Sequence, residues 1–410
     1  MKLHIDPMNT LLVNSTTIAL LFDRVPPWLV ANFNAASRLM SVVVVETLGT
    51  TWNGGAEKSP EQFVRVAVAP SSSVADVQKE SIMRRIERAL DQISPGVVVV
   101  LGWSGKRDLG ALRWCLRNHV PAVVASDSTV QDYSRSWFKE FVKRRVVRLF
   151  SSGWAAGSLS ADYLAVLGIP RERIVSGPVD TIDLRHFSDG ADAARGIERT
   201  IRQRLGLPER YFFAASRFSV EKNIPGLLQA YSRYRGHAGT GAWSLVLAGD
   251  GPLKSDIEGM VRGLGLENSV LLPGYIPFNL LPEYYGLAEV FVHASKRDTW
   301  AVVVNEAMAA GLPVIVSNRC GCVPELVKDG LNGFVIDPDD INRLSDRLWQ
   351  IAHGDSNRAA MGQESRNIIA GWSPEAYAAS LQSVVDVALR APLPKYGITD
   401  RLLLLALVST

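Results

Sequence analysis

The sequence predicts an α/β protein made of two similar halves. Each half is a parallel sheet covered by helices, and the two sheets face each other across a cleft. Three observations predict this. Short runs such as Gly96–Leu101 are apolar at nearly every position, as strands buried on both faces are. These runs alternate with stretches of helical periodicity. The alternation stops over residues 181–196, which are polar and rich in Gly, Ala and Asp, and then restarts, so 181–196 reads as a linker. Each half is therefore Rossmann-like, and open sheets of this kind bind ligands beyond the carboxyl ends of their strands. The expected domains are residues 1–192, residues 193–372, and a last segment, 373–410, whose helix packs back on the first domain and ends in a tail.

In the first half, Thr17–Phe22 reads as a strand and Pro27–Arg38 as a helix. Ser41–Leu48 is a β-branched strand, and Val64–Ala69 is another. Val74–Ile93 has helical spacing, and Gly96–Leu101 is a buried strand. Leu109–Asn118 is a helix, Ala122–Ala125 a strand and Val130–Phe150 a long helix. A helix around Leu159–Leu167 and a strand at Arg173–Val175 complete this half. In the second half the strands are Tyr211–Ala215, Ser244–Ala248, Val270–Leu272, Val290–His293, Val314–Ser317 and Gly333–Ile336. Helices at Ile224–Tyr234, Ser255–Leu264, Leu280–Leu287, Ala301–Ala310 and Val323–Val327 separate them. Leu344–Ile351 and Pro374–Leu389 close the chain as helices.

The chain has 410 residues, 47% hydrophobic and 21% charged, with a net charge of +3. That balance implies no general affinity for nucleic acid, and any basic site is local. Cys115, Cys320 and Cys322 are too few for a disulfide framework and fit a reducing, cytoplasmic setting. Cys320-Gly321-Cys322 reads as a small-residue turn, since no His or Cys cluster completes a metal site. The first 22 residues lack a secretory pattern, and no run approaches the ~20 apolar residues that span a bilayer. The Leu402–Val408 run reads as a packed terminal helix or as a contact with a partner or membrane.

Four local patterns in the second half carry chemistry. SRFSVEKN (216–223) follows a strand and puts Arg217 and Lys222 on one loop. Two such cations can hold a diphosphate, although taken alone a solvated loop fits them better. AGDGP (248–252) also follows a strand, and Gly249 and Gly251, flanking Asp250, permit tight turning and close approach. LPGYI (272–276) places Tyr275 and Ile276 where a flat base could rest, or is a plain turn. RDTWAVVVNEAMAAG (297–311) holds Asp298 before an apolar helix and Glu306 inside it, with Trp300, Ala301 and Val302 at the helix start. The free N–H groups of that first turn favour an anion. Glu306 lies roughly 7 Å further along the axis and is an acceptor suited to paired ribose hydroxyls. Asp298 is placed to accept from a sugar beyond the diphosphate. DPDD (337–340) is read as turn chemistry rather than a metal motif.

With these residues in view, 211–340 closely resembles the nucleotide-binding half of the family 4 retaining glycosyltransferases, which have the GT-B fold. The family's Glu-x7-Glu motif corresponds to Asp298 and Glu306, and its phosphate-binding Arg and Lys fall on Arg217 and Lys222. Its Gly-Asp-Gly-Pro falls on Gly249 to Pro252, and its Pro-Glu turn on Gly321 to Glu325. In the first half, LLFDRVPPW (20–28), TWNGG (51–55), SDST (126–129) and RSWFKEFVKRR (135–145) resemble a bacterial surface-polysaccharide branch. Three departures stand out. Asp298 is one methylene shorter than Glu, Ala301 replaces a Gly, and Ser126-Asp127 stands where many members have a His facing the donor sugar. His119 and His293 end a helix and a second-domain strand, so neither is expected to replace it.

The resemblance implies transfer of a sugar from a nucleoside diphosphate sugar, UDP- or GDP-linked, to a glycan or lipid-linked acceptor. It implies retention at the anomeric carbon and neither a metal nor another cofactor. Arg217, Lys222 and the amides near Ala301 and Val302 would stabilise the leaving diphosphate, and Asp127 would orient the acceptor or the sugar. The expected location is cytoplasmic, with peripheral attachment to the inner membrane face open. That attachment rests on residues 130–150, basic at Arg135, Lys139, Lys143, Arg144, Arg145 and Arg148 with aromatics between, a pattern equally suited to a solvated basic face. Two rivals keep the same residues: a nucleotide-sugar epimerase of this fold, and a donor-binding subunit without catalysis.

Overall fold

Two parallel sheets organise the chain. The computed structural model describes residues 16–48, 60–68, 81–132, 136–354 and 357–409. The TWNGG stretch, the start of the helix expected from Val74, and Arg135 lie outside these.

The first sheet contains β1 (Ile18–Phe22), β2 (Val42–Glu46), β3 (Val64–Ala67), β4 (Val97–Leu101), β5 (Ala122–Ser126), β6 (Ser152–Ala155) and β7 (Ile174–Ser176). Its order is β3-β2-β1-β4-β5-β6-β7, with every pair parallel. The second contains β8 (Tyr211–Ala215), β9 (Ser244–Ala248), β10 (Val270–Gly274), β11 (Val290–His293), β12 (Val314–Ser317) and β13 (Gly333–Ile336). Its order is β10-β9-β8-β11-β12-β13, again all parallel. The expected pair of Rossmann-like α/β domains is what forms. In both sheets the strand order reverses beside the first strand, between β1 and β4 and between β8 and β11. Loops leaving the carboxyl ends of such neighbouring strands diverge and open a crevice for a ligand.

Strand β1 shows why these runs are apolar throughout. Ile18, Leu20 and Phe22 face one apolar cluster, which continues into the second domain through Phe213, Tyr285 and Trp300. Ala19 and Leu21 face the opposite cluster.

The expected linker is a helix. Leu184–Gly196 is helical, and the Asp183 side chain caps it by accepting from the N–H groups of Arg185 and His186. Its buried residues Phe187, Ala191 and Ala194 follow helical spacing beneath a polar surface composition. Phe187 packs edge-on against Phe278 and Tyr285. The boundary placed after residue 192 falls within this helix. A second helix, Glu198–Leu205, follows directly.

The helix expected over Val130–Phe150 is shorter, Trp137–Val147. Asp132 is not on it. Its carboxylate turns back to accept from the Thr129 N–H and hydroxyl, closing a local turn instead of opening a helix. The helix Pro374–Arg390 lies against the first domain, where Trp154 Nε1 donates to Ser380 Oγ at 2.8 Å. The final helix, Ile398–Ser409, buries Leu404 and brings Asp400 to Arg145 (2.7 Å) and Arg148 (2.9 Å). Among the described residues, no helix is long and apolar enough to cross a membrane.

Candidate active site

Because β8 and β11 are neighbours, the loops that leave them are neighbours too. The loop after β8 carries Arg217 and Lys222, and the loop after β11 carries Asp298. The N–H groups of Lys296 and Arg297 donate to the Glu221 carbonyl and stitch the two loops together. Lys222 Nζ then lies 2.6 Å from Asp298 Oδ2. His293, the last residue of β11, brings Nε2 to 2.8 Å from the same oxygen, and Ser295 Oγ stands 3.0 Å from that nitrogen. Burial pushes the Asp298 carboxyl up, but the His293 hydrogen bond and the charges of His293 and Lys222 outweigh it and hold it well below the usual carboxylate range. Arg217 is exposed, with no ion-pair partner among the described residues.

The Gly-Asp-Gly turn serves close approach. Gly249 and Gly251 have φ of +145° and +156°. A Cβ on Gly249 would meet the Ser216 carbonyl at 1.9 Å, and one on Gly251 the Phe218 carbonyl at 2.6 Å. The turn thus supports the loop that presents Arg217, and Phe218 N–H donates to the Asp250 carbonyl at 2.8 Å. The Asp250 carboxylate is exposed, 3.4 Å from Lys254. At the end of β10 the expected base-contact pair divides. Tyr275 is 60% exposed, whereas Ile276 is buried in the apolar cluster.

The helix Val302–Ala309 begins at Ala301, whose φ of +73° lies in the left-handed region. Trp300 is buried and donates to Asn305 Oδ1, while Asn305 Nδ2 donates to the Asp180 carbonyl of the first domain. Glu306 is buried, not on an open helix face. Tyr285 donates its hydroxyl to Glu306 Oε2 at 2.7 Å. Burial raises the Glu306 carboxyl to about 7, against the lowering effect of that hydrogen bond.

Cys320-Gly321-Cys322 runs under the same loop. Gly321 N–H donates to the Asp298 carbonyl, and a Cβ there would meet the Thr299 carbonyl at 1.8 Å. Both cysteines are buried, so the stretch is a small-residue support for the Asp298 turn. DPDD forms ion pairs and a cap. Asp337 and Asp339 meet Arg319, and Asp340 caps the helix Ile341–His353.

From the first domain, Asp127 follows β5 and accepts from Thr299 Oγ1 in the second domain. Burial raises its carboxyl, and Asp132 and Asp298 add to the effect. Asp180 stands nearby with a buried Oδ2 that lacks a hydrogen bond. Its carboxyl is driven well above the usual range, first by burial and then by Asp127 and Asp298. A cavity of about 700 Å³ opens from these residues into the first domain. Motif reading missed His293, Ser295, Tyr285, Thr299 and Asp180. Only His293 left a signal, a strand-end histidine five residues before Asp298.

Residues 198–368 match the family model described as glycosyl transferases group 1. The sulfoquinovosyl transferase SQD2 of Arabidopsis thaliana is 26% identical over 283 residues, covering 67% of this chain and 51% of that protein. A GDP-mannose-dependent phosphatidylinositol monomannoside mannosyltransferase of Mycolicibacterium smegmatis is 28% identical over 210 residues, covering 48% of this chain and 54% of that one. The chain spans about half the length of the curated relatives it matches. The structure of Anabaena Alr3699/HepE in complex with UDP and glucose superposes with a TM-score of 0.71 at 15% identity, covering 90% of this chain and 99% of that one. Residues 198–368 are thus similar to a group 1 glycosyl transferase domain, and they lie within a two-domain fold of the GT-B kind.

Proposed function

We propose that the protein is a retaining, family 4 type hexosyltransferase, moving a sugar from a nucleoside diphosphate sugar to a glycan or lipid-linked acceptor. The observation that carries this is the Lys222–Asp298 contact at the switch point of the second sheet, beside the helix start at Ala301. A phosphate-binding cation, a sugar-binding carboxylate and free helix N–H groups would meet there, where the loops after β8 and β11 come together.

In this reading the bond between the anomeric carbon and the diphosphate oxygen breaks. Arg217, Lys222 and the N–H groups near Ala301 and Val302 take up the charge that develops on the leaving group. The acceptor hydroxyl oxygen bonds to the anomeric carbon on the same face, and its proton passes to a diphosphate oxygen. Asp298 Oδ2 is engaged by Lys222 and His293, which leaves Oδ1 to accept from a donor-sugar hydroxyl. Glu306 accepts from the ribose. Asp127, held by Thr299, orients the acceptor. Two cations and a helix start already offset the diphosphate charge, so we propose that the reaction needs no metal and no further cofactor.

The relatives support a nucleotide-linked donor, since one is GDP-mannose-dependent and a solved structure of the same fold holds UDP. An O-antigen chain mannosyltransferase among them supports a role in surface-polysaccharide synthesis, and we propose a cytoplasmic location. Peripheral attachment to an anionic inner membrane face rests on the helix Trp137–Val147. Arg145 and Arg148 are drawn to Asp400, so the attachment depends on Arg144 and the exposed Trp137, Phe138 and Phe141.

Calorimetric titration with UDP and with GDP, repeated on Glu306→Ala, tests the donor half. Tight binding of one nucleotide, weakened by the substitution, is expected. Failure of both to bind overturns the transferase reading. Conversion of a nucleotide sugar with no acceptor present would identify an epimerase instead.

A further inference from the structure

The cavity in the first domain has two kinds of wall. Where it meets the second domain it is lined by Ser126, Asp127, Ser128 and Asp180. That end is fixed by the Thr299 hydrogen bond to Asp127 and the Asn305 hydrogen bond to the Asp180 carbonyl. Elsewhere Leu109, Val142, Val146 and, from the final helix, Leu407 form an apolar wall, interrupted by Lys139 and by Glu140 and Lys143, which pair with each other and with Tyr163. The helix Trp137–Val147 forms one side. Lys139, Val142, Lys143 and Val146 face the cavity, while Trp137 (81% exposed), Phe138 and Phe141 stand outside.

Asp180 Oδ2 is sealed from solvent and accepts no hydrogen bond. A buried oxygen in that state costs free energy, and because Asp180 itself lines the cavity, a rotation of its carboxyl onto a ligand donor would recover that cost. The apolar walls ask for the opposite chemistry. A wholly polar glycan would displace water from them and give nothing back, whereas an alkyl chain would gain from covering them.

We infer that this cavity binds an amphipathic acceptor, a saccharide carried on an apolar aglycone. The ring hydroxyls donate to Asp127 and Asp180, and the aglycone lies along Val142, Val146 and Leu407. This rests on the transferase reading and selects, from glycan and lipid-linked acceptors, the lipid-linked kind. The exposed aromatics on the outer face of the same helix place the mouth beside the surface that would supply such a molecule.

The full chain is titrated with n-dodecyl β-maltoside below its micelle concentration and with maltose, by calorimetry. Dodecyl maltoside is expected to bind at least about tenfold tighter than maltose. Val142→Asp, and separately Leu407→Asp on the other wall, should remove that advantage while nucleotide binding stays unchanged and reports the fold. Asp180→Asn should weaken both glycosides. Equal affinity for the two glycosides, or an advantage that survives both wall variants, overturns the inference. The glycoside titration needs no nucleotide. Loss of nucleotide binding alone therefore removes the transferase reading, and loss of glycoside discrimination alone removes this one.

Discussion

His293 Nε2 lies 2.8 Å from Asp298 Oδ2, the same oxygen that Lys222 Nζ approaches to 2.6 Å. The two donors differ in what they are free to do. Lys222 is partly exposed on a loop and can turn to a diphosphate, whereas His293 is buried at a strand end and cannot leave. When the lysine engages the donor, the histidine keeps the carboxylate aimed. His293→Leu is therefore expected to lower kcat for transfer by roughly 10- to 100-fold, the value of a hydrogen bond to a charged group. His293→Gln, whose amide can donate from near the Nε2 position, should recover part of that loss. Equal loss in both variants, with nucleotide affinity intact, would show that the ring matters only as packing.

Asp298 is where the motif usually carries Glu, and the pocket is fitted to the shorter side chain. Its Oδ2 already meets two donors within 2.8 Å, and the side chain is only 13% exposed. An added methylene would drive the carboxylate past both or displace them, at a cost of roughly 1–3 kcal/mol. Asp298→Glu is thus expected to reduce transfer and lower the thermal midpoint, although it restores the family residue. An increase in kcat would show that the loop relaxes around the longer side chain.

Glu306 sets a pH dependence. Folding raises its carboxyl from the ordinary 4.5 to about 7, because burial disfavours the charge. Between those values the folded state keeps a proton that the unfolded state has lost, so stability falls as pH rises from about 4.5 to about 7 and then levels. The difference is worth roughly 3 kcal/mol. Glu306→Gln still offers Tyr285 an acceptor and has no charge to bury. It should flatten the profile and be more stable than the parent at pH 8, as measured by urea denaturation at pH 5 and pH 8. Nucleotide affinity should move the other way in the parent, rising through pH 7 as the carboxylate ionises and becomes the better acceptor for ribose hydroxyls. Identical stability profiles in parent and variant would remove Glu306 as the titrating group.

Strands such as β1 and β4 were legible because burial on both faces leaves an unbroken apolar run. The candidate residues Arg217, Lys222 and Asp298 stand out in the sequence because they lie in loops that follow strands, and Glu306 because it lies at a fixed spacing inside the helix after Asp298. What stayed hidden depends on contacts between distant segments. The helix Leu184–Gly196 passes for a linker because only three of its residues are buried and two of them are Ala. Tyr285 reaches Glu306 from a separate helix, and Thr299 reaches Asp127 from the other domain. No local pattern announces either partner. In the sequence His293 is only a strand end, yet being the end of β11, beside β8, is what puts it at the site.

Ala301 provides a stability test at the centre of the same loop. Its φ of +73° is one that L-residues adopt at a cost of roughly 1–2 kcal/mol. Glycine pays no such penalty but loses more chain entropy on folding, about 0.5–1 kcal/mol. Ala301→Gly should therefore stabilise the protein by up to about 1 kcal/mol, read as a shift in the urea midpoint at unchanged slope. The new residue would also clear space over the first N–H groups of the helix, so nucleotide affinity should hold or rise. Ala301→Val places a β-branched side chain at the same φ, where strain of roughly 1–3 kcal/mol is expected, and should weaken nucleotide binding with it. A valine variant as stable as the parent would mean that residue 301 leaves the left-handed region without cost, and that the helix start is not a rigid part of the phosphate site.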